Sequence, residues 1–114
     1  MEKIYISIRN AGVETIGEVV SVTVVEKYDW RGQLESSKIE YVDVKPLNDP
    51  SKIIPIHFDT LPENVKKKIL KGIDDGLIKK EYIMMKQNPV TLEYTEIYYG
   101  DDYLELLEKM REDC

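Results

Sequence analysis

The run EVVSVTVVEKY, Glu18 to Tyr28, constrains the fold of this chain more than any other stretch. Side chains branched at Cβ are stiff and crowd a helix, whereas they pack well on a pleated strand. Val20, Val22 and Val24 share one face of such a strand. Its backbone groups need partners, and further alternating runs supply them. In KIYISIR, Ile4, Ile6 and Ile8 face one way and Tyr5, Ser7 and Arg9 the other, the pattern of a half-buried strand. DWRGQLESS reads as a hairpin connection. KIEYVDVKPL alternates through Ile39 and Tyr41 and then, out of step, through Val42 and Val44, which implies a bulge or a shifted register. KIIPIHF, Lys52 to Phe58, is a short strand that Pro55 confines to a sheet edge or a strand end.

Helical periodicity then takes over. Thr60 and Glu63 have the spacing of a capping box, with Pro62 in the first turn. Val65, Ile69 and Ile73 form a stripe flanked by Leu70 and Leu77, and Gly76 is placed to end the helix in a left-handed conformation. KKEYIMMKQNP fits a helix extension, a loop or a short strand. VTLEYTEIYY, Val90 to Tyr99, is a strand, GDD breaks it, and Tyr103, Leu106, Leu107 and Met110 mark a second helix over 102–113. There are no repeats, low-complexity tracts or linkers. Strands, helix, strand, helix predicts one α+β domain over 1–114: a two-layer sandwich of a mostly antiparallel sheet, four or five strands, with two helices.

The 114 residues are 42% hydrophobic, enough for one modest core. A net charge of −6 argues against a general nucleic-acid coat protein. The N-terminal stretch reads as no signal peptide and no run approaches a membrane span, so the expected setting is the cytoplasm. One cysteine, Cys114, excludes an intrachain disulfide and a four-cysteine zinc site. His57, the single histidine, is expected to point away from the core, and a base paired with a nucleophile is not apparent. No glycine-rich phosphate loop is present. These patterns point to binding rather than catalysis, with no cofactor or metal. Asp101 and Asp102 could serve a carboxylate-only magnesium site, but adjacent acids at a helix start more often cap it.

Charge is uneven. From Glu63 to Lys80 six lysines face three acids, whereas from Glu93 to Asp113 eight acids face Lys109 and Arg111. Lys67, Lys68 and Lys71 lie opposite the apolar stripe, either as the solvated side of an ordinary helix or as a phosphate-binding face. The acidic segment is either a docking surface for a basic partner or solubilising surface. Trp30 beside Arg31 either anchors a partner or folds back over the sheet edge. Eight tyrosines, among them Tyr99 and Tyr103 around the GDD break, suit base stacking as well as ordinary sheet packing.

Several short words occur in a familiar order. RGQ at Arg31 to Gln33, KPL at Lys45 to Leu47, LPENVKKKILKGIDDG at Leu61 to Gly76 and VTLEYTEIYYGDDY at Val90 to Tyr103 resemble domain IV of translation elongation factor G, with its ribosomal protein S5 domain 2-like fold. The family's glycine pair before RGQ is replaced by Asp29 and Trp30, its tip histidine is absent, and no GTPase domain accompanies the likeness. What the resemblance implies is a scaffold whose loop tips enter the ribosomal decoding site. By position those tips are Arg31, Gly32, Gln33, Gly100, Asp101 and Asp102.

Two functions therefore stand as expectations. One is a non-catalytic module that binds the ribosome or RNA through Trp30, Arg31, Gly32, Gln33, Lys67 and Lys71, with Gly100, Asp101, Asp102 and Tyr103 at the second tip. The other is a small acidic inhibitor, immunity protein or adaptor acting on a basic protein surface.

Overall fold

The computed structural model describes residues 3–112; Cys114 lies outside them. The order is β1 (Tyr5–Asn10), β2 (Val13–Tyr28), β3 (Leu34–Pro46), β4 (Ile54–His57), α1 (Glu63–Asp74), β5 (Lys79–Gln87), β6 (Tyr94–Gly100) and α2 (Tyr103–Glu112). A 3-10 turn, Phe58–Thr60, leads into α1. The class is α+β, as expected, but the sheet is a mixed one of six strands rather than a mostly antiparallel one of four or five. Hydrogen bonding orders them β4-β3-β2-β5-β6, and β1 also pairs with β2. The β1–β2, β3–β4 and β5–β6 pairings are antiparallel.

The added strand is β5, from the stretch whose sequence fitted three structures. Tyr82, Met84 and Lys86 alternate inward, with Met84 and Lys86 buried. Placement in the sheet overrides the indifferent strand propensity of methionine and lysine.

Contacts group the chain into two compact units. The first takes the residues up to Val22 with Glu40–Lys80, the second Thr23–Ile39 with the residues from Glu81 on.

In the first unit a two-residue turn joins β1 to β2, closing the Asn10↔Val13 pair with both Ala11 (φ 52°) and Gly12 (φ 81°) left-handed. This is the turn geometry whose twist suits a hairpin. Ile6 and Ile8 are buried, as the alternation requires. Along β3 the buried set is Val42, Val44 and Pro46, so the even register is the inward one and Ile39 and Tyr41 are only partly covered. In β2 Gly17, Val19 and Ser21 are buried and then Val22, Val24, Glu26 and Tyr28, so the inward set changes parity between Ser21 and Val22; Val20, placed by the alternation on one face with Val22 and Val24, is half-buried. A Cβ at Gly17 would run into Val44 and touch Ile8, so glycine is what lets these strands close up.

Helix α1 starts later than the capping box implies. Thr60 Oγ1 donates to the His57 carbonyl at 2.7 Å inside the 3-10 turn, and Pro62 is the N-cap with no side-chain cap. The cause is Leu61: a residue preceding proline is pushed out of the helical region, and Leu61 is extended (φ −80°, ψ 148°). The C-terminus follows expectation. Gly76 is left-handed (φ 75°), its N–H bonds the Ile73 carbonyl at 3.1 Å, and Leu77 N–H bonds the Gly72 carbonyl at 2.8 Å. Those two bonds make a Schellman stop. Ile69 and Gly72 are buried, while Val65 and Ile73 are half-buried.

The second unit has its own core: Tyr28, Met84, Leu106 and Met110, with Tyr82, Tyr98, Tyr103 and Leu107 packed around it. Strand β6 begins at Tyr94, four residues after its expected start. Its pairing with β5 slips once, between Lys86 and Gln87, which leaves Thr95 as the extra residue of a bulge.

Candidate functional site

Two loops meet at one end of the second unit. The β2–β3 connection is organised by Asp29. Its carboxylate accepts the Arg31 and Gln33 backbone N–H groups at 2.9 Å each, and its carbonyl accepts Gly32 N–H at 3.0 Å. Asp29 N–H closes on the Gln33 carbonyl at 2.9 Å, and Gly32 is buried with φ 84°. This is the three-residue hairpin loop in which only glycine sits comfortably at the left-handed position. Trp30, the first residue of this loop, is 44% exposed. The Arg31 guanidinium lies 4.7 Å from the Trp30 ring centroid, within cation–π range.

The β5–β6 loop is equally built. Asn88 Oδ1 accepts Val90 N–H at 2.8 Å and Thr91 N–H at 3.1 Å. Asn88 N–H and the Glu93 carbonyl close the loop at 2.7 Å, and Leu92 takes φ 62°. Gln87 Nε2 adds a bond to the Leu92 carbonyl at 3.1 Å. The apolar pair Val90 and Leu92 is thereby held out to solvent, at 87% and 59% exposure. Leu34, just after the other loop, is exposed as well.

Tyr94, just past the β5–β6 loop, links to the strands that flank the other loop. Its hydroxyl donates to Glu35 Oε1 at 2.8 Å, and Lys27 Nζ lies 5.2 Å from its ring centroid. The hydrogen bond to Glu35 is the main reason its phenol is held above the ordinary pKa.

The second candidate tip stands apart. Gly100 closes β6 opposite Tyr82, whereas Tyr94 opens it opposite Gln87. At a rise of about 3.3 Å per residue, some 20 Å separates the Trp30 end from Gly100. The tips that the resemblance joins, Arg31–Gln33 and Gly100–Asp102, lie at opposite ends of one strand. Asp102 caps α2: its Oδ1 accepts Glu105 N–H at 3.2 Å and its carbonyl accepts Leu106 N–H at 3.1 Å. Tyr103 belongs to the core rather than to a tip, with its hydroxyl 3.1 Å from that of Tyr28 and its ring edge-on to Tyr82 at 4.9 Å.

Lys67 and Lys71 belong to the first unit, both exposed on α1. Their neighbours are engaged: Lys66 reaches Glu63 at 3.4 Å and Lys68 donates to the Tyr5 carbonyl at 3.2 Å. His57 is exposed, its ring 4.8 Å from that of Tyr41. Among the described residues no group of three or more His, Cys, Asp or Glu side chains is placed to hold a metal ion, and no helix is long and apolar enough to cross a membrane.

Val90, Leu92 and Leu34 escaped the sequence reading. The Asn88-Pro89 pair is a turn signal, but the alternation VTLEY masked it. A scan against family models, a search of curated proteins and a search of solved structures found no match to this chain.

Proposed function

We propose that this chain is a non-catalytic binding module that docks on a protein partner through the hairpin end of its second unit. The observation that carries this reading is the pairing of two internally hydrogen-bonded loops that hold Trp30, Leu34, Val90 and Leu92 to solvent, with Arg31 stacked on Trp30. Rigid presentation lowers the ordering cost of association. Tryptophan and arginine are the residues most enriched at interface hot spots. The acidic total, −6, suits a basic protein surface around that apolar centre.

A photo-crosslinking residue at position 30 tests it in the source cells, against the same residue at Lys52. One dominant protein adduct at position 30, lost with Arg31→Ala and Val90→Ser, supports the module. Adducts no different from those at position 52 refute it.

A ribosome- or RNA-binding module in the cytoplasm is the second reading, favoured by the exposed Lys67 and Lys71 and by the likeness to elongation factor G domain IV, with its two-layer S5 domain 2-like arrangement. The wide separation of its two tips counts against it. Co-sedimentation with ribosomes at low and moderate salt separates the two: retention that Lys67→Glu with Lys71→Glu abolishes selects this reading.

A further inference from the structure

We propose that the outer edge of β6 accepts an extended segment of a partner protein in which apolar and basic residues alternate. Strands at a sheet edge present backbone groups to any chain that can pair with them, and most proteins blunt them. The strand path ends at β4 and at β6, and β1, off that path, pairs with β2 alone and has its Tyr5 carbonyl taken by Lys68 at 3.2 Å. Strand β4 is blunted: it has four residues, one of them Pro55, which has no N–H to offer. Strand β6 has seven residues and neither proline nor lysine. Its bulge at Thr95 leaves Glu96 to Gly100 in unbroken register with β5, long enough for strand addition.

The two faces of that stretch specify the segment. Tyr98 packs on the core that includes α2, and its hydroxyl donates to Glu96 at 3.3 Å. Glu96, Tyr98 and Gly100 therefore share the α2 side, while Ile97 and Tyr99 take the other face, 45% and 69% exposed. An added strand continues both faces, so its apolar residues lie beside Ile97 and Tyr99 and its other residues lie on the Glu96 side. Where β6 runs into α2 a groove of about 160 Å³ is lined by Asp101, Asp102 and Glu105 against one cation, Lys109, itself 3.3 Å from Glu105. Cationic side chains of the segment match that side.

The same charges argue against other occupants. A second copy would bring Glu96 and its acidic neighbours against themselves, between chains of −6 each, and RNA would meet the same carboxylates. The hairpin end plays no part here, so this proposal and the preceding one fail separately.

The probe is an end-blocked, fluorescent eight-residue peptide of alternating valine and lysine, titrated into the full chain and read by anisotropy at low and moderate salt. Two analogues carry backbone N-methyl groups on one or the other alternate set, which keeps every charge but removes N–H groups from one edge at a time. Expected are saturable, salt-weakened binding, at least a tenfold loss for one N-methylated analogue, a weakening of at least fivefold by Glu96→Lys, and slower amide exchange along β6. No binding overturns the proposal. Equal binding of both analogues also overturns it, since charge alone would then be responsible. So does a concentration-dependent dimer by sedimentation that excludes the peptide, which assigns the edge to a second copy.

Discussion

The Tyr28 hydroxyl donates a 2.7 Å hydrogen bond to the carboxylate of Glu26, two residues earlier on the same face of β2, and both residues are buried. A buried carboxylate needs donors, since leaving one unpaired costs its desolvation. Tyr28→Phe removes a donor and keeps the ring. The expected loss is about 1–3 kcal/mol at neutral pH, read as a lower urea midpoint with an unchanged slope.

Alkaline pH tests the same group. Burial, then the hydrogen bonds to Glu26 and Tyr103, hold the Tyr28 phenol far above its ordinary pKa; burial, then the charge of Glu26, raises Tyr82 too. With the folded pKa above the unfolded one, the unfolded chain loses its protons first as pH rises. Stability is therefore intact below about pH 10 and falls as the pH climbs above it. Unfolding midpoints at pH 7, 10 and 11 should decline over the last interval, and Tyr28→Phe should flatten part of that decline.

Asp102 caps α2 through its Oδ1, and capping depends on a side-chain acceptor more than on charge. Asp102→Ala should cost about 1 kcal/mol, whereas Asp102→Asn should cost a few tenths. Thermal unfolding of the two variants decides it: equal losses would mean that the carboxylate charge, not the cap, is what matters.

Gly32 holds the Trp30 loop at φ 84°. Gly32→Ala should cost about 1–2 kcal/mol for the left-handed backbone. It should also disturb the Arg31 stack, seen as a change in the fluorescence of Trp30, the one tryptophan. An unchanged spectrum and midpoint would show that the loop tolerates a Cβ.

Gly17 presents a steric case. A methyl group there meets Val44 and Ile8, so Gly17→Ala should destabilise by about 1–3 kcal/mol through overpacking. Val44→Ala in the same chain should recover part of the loss, measured as a non-additive double-mutant cycle.

What the sequence made legible was what local chemistry decides. The β-branched run of β2, the alternation of Ile6 and Ile8 and the Gly76 stop each carry their own physical cause and stand in the structure. The same holds for the capping role of Asp102, foreseen from adjacent acids at a helix start. What was not legible depends on neighbours. Lys79–Gln87 is a strand because the sheet has a place for it, and the inward face of β3 is settled by what Val42 and Val44 meet. The capping box failed at Leu61, where the constraint comes from the next residue, Pro62. For the site, the sequence shows Trp30 beside Arg31 but not the Asp29 hydrogen bonds that shape the loop carrying both. Val90 and Leu92 were hidden because an alternating word reads as strand even where Asn88 has turned the chain.

The length of β6 sets the spacing between the two surfaces proposed for binding. Tyr94, its first residue, is tied to Glu35 at the start of β3, just past the Trp30 loop, and Gly100 ends it at the acidic groove. A ligand that touches both must therefore cover about 20 Å of extended chain, six residues or so. A shorter segment on the Glu96–Gly100 edge leaves the Trp30 loop uncovered, so the two proposed surfaces can be filled one at a time.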